Sequence, residues 1–318
     1  MASRNILIIK LGALGDVVRT TPLLRRLSGR ITWVTGSECL PLLAGAPRLD
    51  RVLPFSEASS LRARTFDLII NFDEDIRACR LASSITARRR IGTRLDGGRV
   101  AYCAGSAPWF DMSLVSRLGR AAADRLKARG ARVYQDYLFE ACGLRFQGEE
   151  YILPVRPTHA SPDAVALEGR VGEKWPMKAW PGFKTLAVAL REEGLRPFTL
   201  RPRQSLTDYF EDINRASIVV TGDTLAMHAG LALGKKVVAL FTCTSPKEIH
   251  GYGRLTKLVD PRLLENFYRR DRPDGTRASI PPSRVLAAIV RLRKQALACQ
   301  RTTDSAIRYL TASFAGPQ

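Results

Sequence analysis

Histidine, paired cysteines and long apolar runs are scarce in this sequence of 318 residues. It contains three histidines and six cysteines, with no Cys-x-x-Cys pair and no histidine at metal-ligand spacing from a cysteine. This usage argues against a zinc site and indicates reduced, structural thiols, so we expect a cytoplasmic protein with no metal and no other cofactor. No apolar run approaches the roughly 18 residues needed to cross a bilayer. Ile6–Ile9 is too short for a signal-peptide core, so we expect no export and only peripheral membrane contact.

Two further absences narrow the function. No Gly-x-Gly-x-x-Gly motif with a downstream acidic residue follows the first strand-like segment, which argues against an NAD-dependent dehydrogenase. Residues 77–99 are dense in arginine but contain no aromatic residue. A nucleic-acid-binding surface would need aromatic side chains between its cations, so we expect no nucleic-acid partner.

Positive charge is what the sequence has in excess. The formal net charge is +20, from 50 lysines and arginines against 30 acidic residues. Such a field attracts polyanions, including anionic lipid headgroups and phosphorylated sugars. An arginine-rich genome explains the same excess equally well. The hydrophobic content of 45% and the length suffice for two globular domains, each with its own core.

The segment at residues 6–16 combines a strand, a glycine turn and the start of a helix. The apolar run Ile6–Ile9 is typical of a buried parallel strand. Gly12 and Gly15 let the backbone turn tightly and keep side chains away from a ligand. Asp16 follows at a position where a helix takes its N-cap. It is therefore either a capping residue or a functional carboxylate at the carboxyl end of the first strand, where open α/β sheets bind ligands.

Strand-like and helix-like segments alternate along the rest of the chain, which predicts an α/β fold. A proline-rich segment at residues 153–162 separates two such series. We therefore predict domains at 1–155 and 156–298, followed by a polar tail at 299–318. In the first series, residues 88–94 interrupt the pattern as a basic loop with Arg88, Arg89, Arg90 and Arg94.

The strongest pattern in the second half is a strand at 218–220 that leads into a helix. Its junction comprises Gly222, Asp223, Thr224, Leu225 and His228. Free N–H groups and the positive end of the helix dipole suit a phosphate there. The alternative is that Asp223 or Thr224 caps the helix and His228 packs in its first turns. Thr244 follows the next strand and is expected at the same sheet edge.

A loop at residues 174–181 carries two lysines and two tryptophans. Lys174 and Lys178 could reach a diphosphate, and the indoles could stack on a ring or pack the loop down. A helix start set by proline, with solvated lysines, explains the same residues.

Four segments together resemble the family 9 glycosyltransferases, which are the ADP-heptose:lipopolysaccharide heptosyltransferases and their relatives. They occur in the family's order at residues 7–22, 174–176, 221–228 and 239–246. The resemblance implies a GT-B architecture, with two Rossmann-like domains whose parallel sheets face a cleft. The acceptor would bind mainly to the first domain and the nucleotide-sugar to the second. A βα unit expected after residues 198–203 is missing, so the second domain should be shortened. Leu225 stands where many relatives have glycine.

The resemblance also implies an activity. It is the inverting, metal-independent transfer of a heptose or related sugar, from ADP-heptose first of all, to a lipopolysaccharide core or another cell-surface glycan. Asp16 would take the proton from the acceptor hydroxyl, residues 222–228 would bind the diphosphate, and Lys174 and Lys178 would neutralise the departing nucleotide. The alternative is a degenerate GT-B protein that binds nucleotide-sugar or glycan without turnover.

The acceptors of such enzymes are anionic, which gives the basic residues of the first domain a role. We expect Arg88, Arg89, Arg90 and Arg94 to contact the acceptor, with the protein peripheral at the inner face of the cytoplasmic membrane.

Overall fold

The computed structural model describes residues 3–271, 278–295 and 297. Its strands form two sheets, one in each half of the chain. The first has six strands in the order β3-β2-β1-β4-β5-β6, parallel except for the β5–β6 hairpin. These strands are β1 Asn5–Ile9, β2 Arg30–Thr35, β3 Arg51–Pro54, β4 Thr65–Asn71, β5 Thr86–Asp96 and β6 Arg99–Tyr102.

The second sheet has five strands, all parallel, in the order β11-β10-β9-β7-β8. They are β7 Ala164–Glu168, β8 Arg196–Thr199, β9 Ile218–Gly222, β10 Lys236–Phe241 and β11 Leu255–Val259. Only residues 200–205 separate β8 from the next helix. In the part of the chain that the structure describes, the second sheet therefore has one strand fewer than the first, and residues 200–205 contain no further βα unit.

Helices connect the strands, as parallel pairing requires. They are α1 Leu14–Thr20, α2 Leu40–Leu43, α3 Ile76–Ser84, α4 Ala107–Phe110, α5 Arg120–Arg129, α6 Tyr134–Ala141, α7 Phe183–Glu192, α8 Leu206–Asn214 and α9 Leu225–Ala232, and residues 282–295 form α10. Helix α1 passes at Thr21 into a 3-10 turn that contains Pro22. A proline cannot donate the next helical hydrogen bond, which accounts for the change.

Central strands are buried on both faces, because helices cover both sides of each sheet. Every residue of β9 is buried, and so is every residue of β1 except Asn5. One hydrophobic core runs from Val17 and Trp33 in the first half to Met227 and Phe241 in the second. The two halves are therefore packed against each other.

The predicted basic loop at residues 88–94 is wrong, because the structure places these residues within β5. Arg90 donates hydrogen bonds to the backbone carbonyls of Ala82 and Ile85. Residues 86–90 include three consecutive arginines and no apolar alternation, so a local pattern could not reveal the strand. Pairing with β4 on one side and β6 on the other fixes it instead.

Several other predictions concern the ends and linkers of the chain. The described cysteines are all free, and Cys299 and the predicted polar tail at 299–318 lie outside the described residues. In the described part, no helix is long and apolar enough to span a membrane. Between α6 and β7, residues 142–163 contain no helix or strand. The domain limits at 155 and 156 stay a prediction.

Candidate active site

Asp16 lies in the first turn of α1, just after β1 ends. The helix begins at Leu14 with Ala13 as its N-cap, and no side chain makes a capping hydrogen bond there. The capping interpretation of Asp16 is therefore wrong. Its side chain is 41% exposed and contacts Arg19 one turn further along, with 3.1 Å between Oδ1 and Nε. The carboxylate is thus available at the carboxyl end of the first strand.

Two cations keep Asp16 ionised. Burial alone would raise the pKa of Asp16, but Arg19, followed by Lys10, lowers it below its usual value. Lys10 is itself buried and lies with its Nζ 3.5 Å from Oδ2 of Asp73. Asp73 follows β4, the strand beside β1, and also accepts a hydrogen bond of 2.8 Å from the Leu11 N–H. Asp73 was not among the predicted site residues, although its place soon after the apolar run Leu68–Ile70 was a usable signal.

The second half presents its own charged group at the end of β9. Nζ of Lys178 lies 3.0 Å from Oδ2 of Asp223 and also donates to the Asp223 carbonyl. Burial would raise the pKa of Asp223, but the Lys178 ammonium beside it holds that pKa well below its usual range. Thr224 is the N-cap residue of α9, but its hydroxyl bonds Thr221 rather than a helix N–H. The N-terminus of α9 thus opens beside an ion pair.

His228 is buried in α9 and neutral. Burial lowers its pKa to about 4, even though Asp223, with 4.0 Å between Nε2 and Oδ1, favours the charged form. The ring packs edge-on against Tyr151 at 5.6 Å between centroids. Its Nδ1 has no hydrogen-bond partner in the described part of the chain.

Helices α1 and α9 meet where Gly15 faces His228. A Cβ added to Gly15 would lie 2.9 Å from Cδ2 of His228, a distance that real Cβ atoms essentially never show. A side chain at position 15 would therefore force α1 or His228 to shift, whatever Gly15 does toward a ligand. Because α1 carries Asp16 and α9 follows Asp223, this contact brings the two predicted motifs together.

A second contact between the halves joins Glu248 to two cations of the first half. Glu248 lies in the 3-10 turn after β10, with its carboxylate 3.8 Å from Nη1 of Arg19 and 3.5 Å from Nζ of Lys127. The hydroxyl of Tyr268 donates to it at 2.9 Å. Arg19 also lies over the ring of Tyr134, 4.1 Å from its centroid. None of these residues was predicted from the sequence, because their contacts join distant segments and follow no local pattern.

The remaining residues that were predicted to bind the donor are Gly12, Lys174, Gly222, Leu225 and Thr244. Thr244 is buried, and its hydroxyl has no hydrogen-bond partner among the described residues. Gly222 ends β9, Gly12 lies in the turn after β1, and Leu225 starts α9. Lys174 is exposed, and the structure does not join it to the other site residues. Among the described residues, no group of three or more histidine, cysteine or acidic side chains could hold a metal ion.

A family model matches the second half of this site. The model for glycosyltransferase family 9 (heptosyltransferase) covers residues 184–272. The matched residues include Asp223, His228 and Glu248, whereas Asp16 and Arg19 precede them. The resemblance predicted from the sequence, and with it a glycosyltransferase, is confirmed.

Solved structures extend the similarity over nearly the whole chain. A family 9 glycosyl transferase from Veillonella parvula DSM 2008 is 17% identical with a TM-score of 0.65, over 93% of this chain and 98% of its own. E. coli heptosyltransferase WaaC with ADP is 14% identical at 0.59, over 90% and 97%. E. coli ADP-heptose lps heptosyltransferase II is 16% identical at 0.56, over 92% and 99%. These matches confirm the predicted GT-B-type fold. Comparison with the sequences of curated proteins finds no match.

Proposed function

We propose that the protein is an inverting glycosyltransferase that moves a heptose or a related sugar from a nucleotide-sugar to a lipopolysaccharide-core or other cell-surface glycan. ADP-heptose is the first candidate donor, because the family model is that of heptosyltransferases. One observation carries the proposal. The ionised carboxylate of Asp16 in the first half faces, through the Gly15–His228 contact, the Lys178–Asp223 pair of the second half.

Asp16 acts as the general base. An inverting displacement needs one group that accepts the proton of the attacking hydroxyl, and it needs no covalent intermediate. The side chain is exposed enough to reach a hydroxyl and is already ionised. Arg19 and Lys10 keep its pKa low, so Asp16 would take the proton late, when bond formation to the sugar has made the acceptor oxygen positive and its proton acidic.

Lys178 and the N-terminus of α9 bind the donor diphosphate. The developing negative charge on the leaving nucleotide is stabilised by a fixed cation and by free N–H groups aimed at one place. Lys178 lies beside Asp223 at that helix start. These groups supply the positive charge from the protein itself, which supports a metal-independent reaction. Lys174 lies in the same loop and is exposed, so it would have to move to contribute.

The acceptor side is proposed to be anionic and membrane-bound. Arg88 and Arg89 are exposed on β5, and Arg94 lies half-buried near its end. Arg90 already donates to backbone carbonyls and is the weakest of the four candidates. With a net charge of +20, the protein would approach an anionic cytoplasmic membrane surface reversibly.

Thermal unfolding with a panel of nucleotide-sugars tests the donor. A ligand at about 100 times its Kd stabilises the folded state by about 2.7 kcal/mol. We expect ADP-heptose to raise the unfolding temperature and UDP- or GDP-sugars to leave it unchanged. Transfer to a deacylated lipopolysaccharide core, measured by mass spectrometry with and without a chelator, then tests turnover and metal independence. Protection without transfer would support the alternative of a binding protein that has lost its activity.

A further inference from the structure

Arg19 lies between two carboxylates that come from different halves of the protein. Its Nε is 3.1 Å from Oδ1 of Asp16, and its Nη1 is 3.8 Å from Oε2 of Glu248. Yet Nε makes no aligned hydrogen bond within the described residues. A planar guanidinium usually pairs with a carboxylate through two parallel hydrogen bonds. Here the guanidinium instead approaches one oxygen of Asp16 through Nε, without an aligned hydrogen bond.

Aromatic rings and the contacts of Glu248 hold the Arg19 guanidinium between the carboxylates of Asp16 and Glu248. It lies 4.1 Å from the ring centroid of Tyr134 and 5.5 Å from that of Trp109, distances at which a cation is attracted to an aromatic face. Glu248 is itself fixed by the Tyr268 hydroxyl at 2.9 Å and by Lys127. The Arg19 side chain is only 12% exposed, so water does little to screen these contacts.

We propose that Glu248 is a positioning residue for the base: it draws Arg19 partly away from Asp16, so that Arg19 does not close a full salt bridge over the carboxylate. A closed pair would occupy the oxygens that must accept the proton of the acceptor hydroxyl. Glu248 belongs to the second half, and Asp16 and Arg19 belong to the first. The base is therefore complete only while the two halves are together. This inference rests on the proposed role of Asp16.

A change at Glu248 should alter the pKa of Asp16 through Arg19, because the other groups around Asp16 stay where they are. Beside Arg19 and Glu248, the charged and titratable side chains that face it are Lys10, Cys39, Tyr134, Asp223 and His228. None of these lies in the turn that carries Glu248, so a change at Glu248 leaves them in place. Without Glu248, Arg19 pairs with Asp16 alone, and the carboxylate becomes harder to protonate.

Labelling of Asp16 by a water-soluble carbodiimide with glycine amide, read by peptide mass spectrometry, tests this without turnover. The reagent attacks protonated, accessible carboxyl groups, and Asp16→Asn identifies the labelled position. We expect Glu248→Gln to slow labelling of Asp16 about threefold, which corresponds to half a pKa unit. Arg19→Gln should accelerate it by tenfold or more, since loss of a cation within about 4 Å moves a carboxyl pKa by a unit or more.

Lys127→Gln is the matched control. It removes the other cation from Glu248 and leaves that carboxylate to Arg19, so labelling of Asp16 should not slow as it does in Glu248→Gln. In transfer assays, Glu248→Gln should lower kcat and move the acid limb of the pH profile to lower pH, and Glu248→Asp should restore part of both. Cooperative thermal unfolding of each variant shows that it is folded.

Two results would overturn the positioning role. One is labelling of Asp16 at the wild-type rate in Glu248→Gln, and the other is a change shared equally by Lys127→Gln. Either leaves the proposed function intact. Retained turnover in Asp16→Asn would instead contradict the proposed function, whatever the labelling shows.

Discussion

Replacing Gly15 by alanine should push the two halves of the protein apart. The added Cβ would lie 2.9 Å from Cδ2 of His228, so one side must move by several tenths of an ångström. His228 cannot turn away freely, because it is buried and packs against Tyr151. Overpacking of this kind destabilises by about 1–3 kcal/mol. Alanine in place of glycine within a helix contributes about 1 kcal/mol in the other direction. The net loss should therefore be roughly 0–2 kcal/mol.

A double-mutant cycle separates the two effects. In a His228→Ala background the clash is absent, so Gly15→Ala should stabilise by about 1 kcal/mol through its helix propensity alone. The coupling between the two positions should then be about 1–3 kcal/mol. Denaturant unfolding of wild type, both single variants and the double variant measures it.

The sign change is the critical result. If Gly15→Ala stabilises the protein equally in both backgrounds, the close approach of α1 and α9 is refuted, and with it the geometry that brings Asp16 to Asp223.

Three further predictions concern charge. Lys178→Ala should weaken ADP binding far more than adenosine binding in calorimetry, because the lysine charge acts on phosphates alone. Lys174→Ala should have a smaller effect. Equal losses of affinity for ADP and adenosine would show that the loop has only a structural role. The pKa of His228 is lowered to about 4 in the folded protein, so the unfolded state binds more protons below pH 6.5. The free energy of unfolding should therefore fall by about 3 kcal/mol as the pH drops from 6.5 to 4. His228→Asn should flatten that slope, and an unchanged slope would assign it to other groups. Binding of the protein to anionic vesicles should fall steeply above physiological salt, where the screening length drops below about 8 Å. The double variant Arg88→Glu, Arg89→Glu should bind vesicles more weakly and ADP-heptose as tightly as wild type. Vesicle binding that does not depend on salt would contradict the proposed role of these arginines.

Local patterns predicted the parts of the site that lie on one stretch of chain. The strand, glycine turn and helix around Asp16 and the strand-to-helix junction at Asp223 are both where the apolar runs and glycines indicated. Short-range signals sufficed there, because a buried parallel strand and the helix after it are encoded by adjacent residues.

The rest of the site depends on contacts between distant residues. Glu248 meets Lys127 and Arg19 only because two sheets pack together, and no spacing in the sequence records that. The same holds for Gly15, which looked like a turn residue and is also a point of close approach to His228. The arginines at 88–90 led to the wrong prediction of a loop, because three consecutive charged residues lack the apolar pattern of a strand. Pairing with β4 and β6 makes this segment part of a strand nevertheless.

The most direct test of the proposed mechanism is sugar transfer by Asp16→Asn. Transfer from ADP-heptose to a lipopolysaccharide-core acceptor should fall by a hundredfold or more, on the order expected for loss of a general base. Thermal protection by ADP-heptose should persist, because the diphosphate contacts come from the second half of the protein. Turnover within a few-fold of wild type, in a variant that still binds the donor, would contradict the assignment of Asp16 as the base.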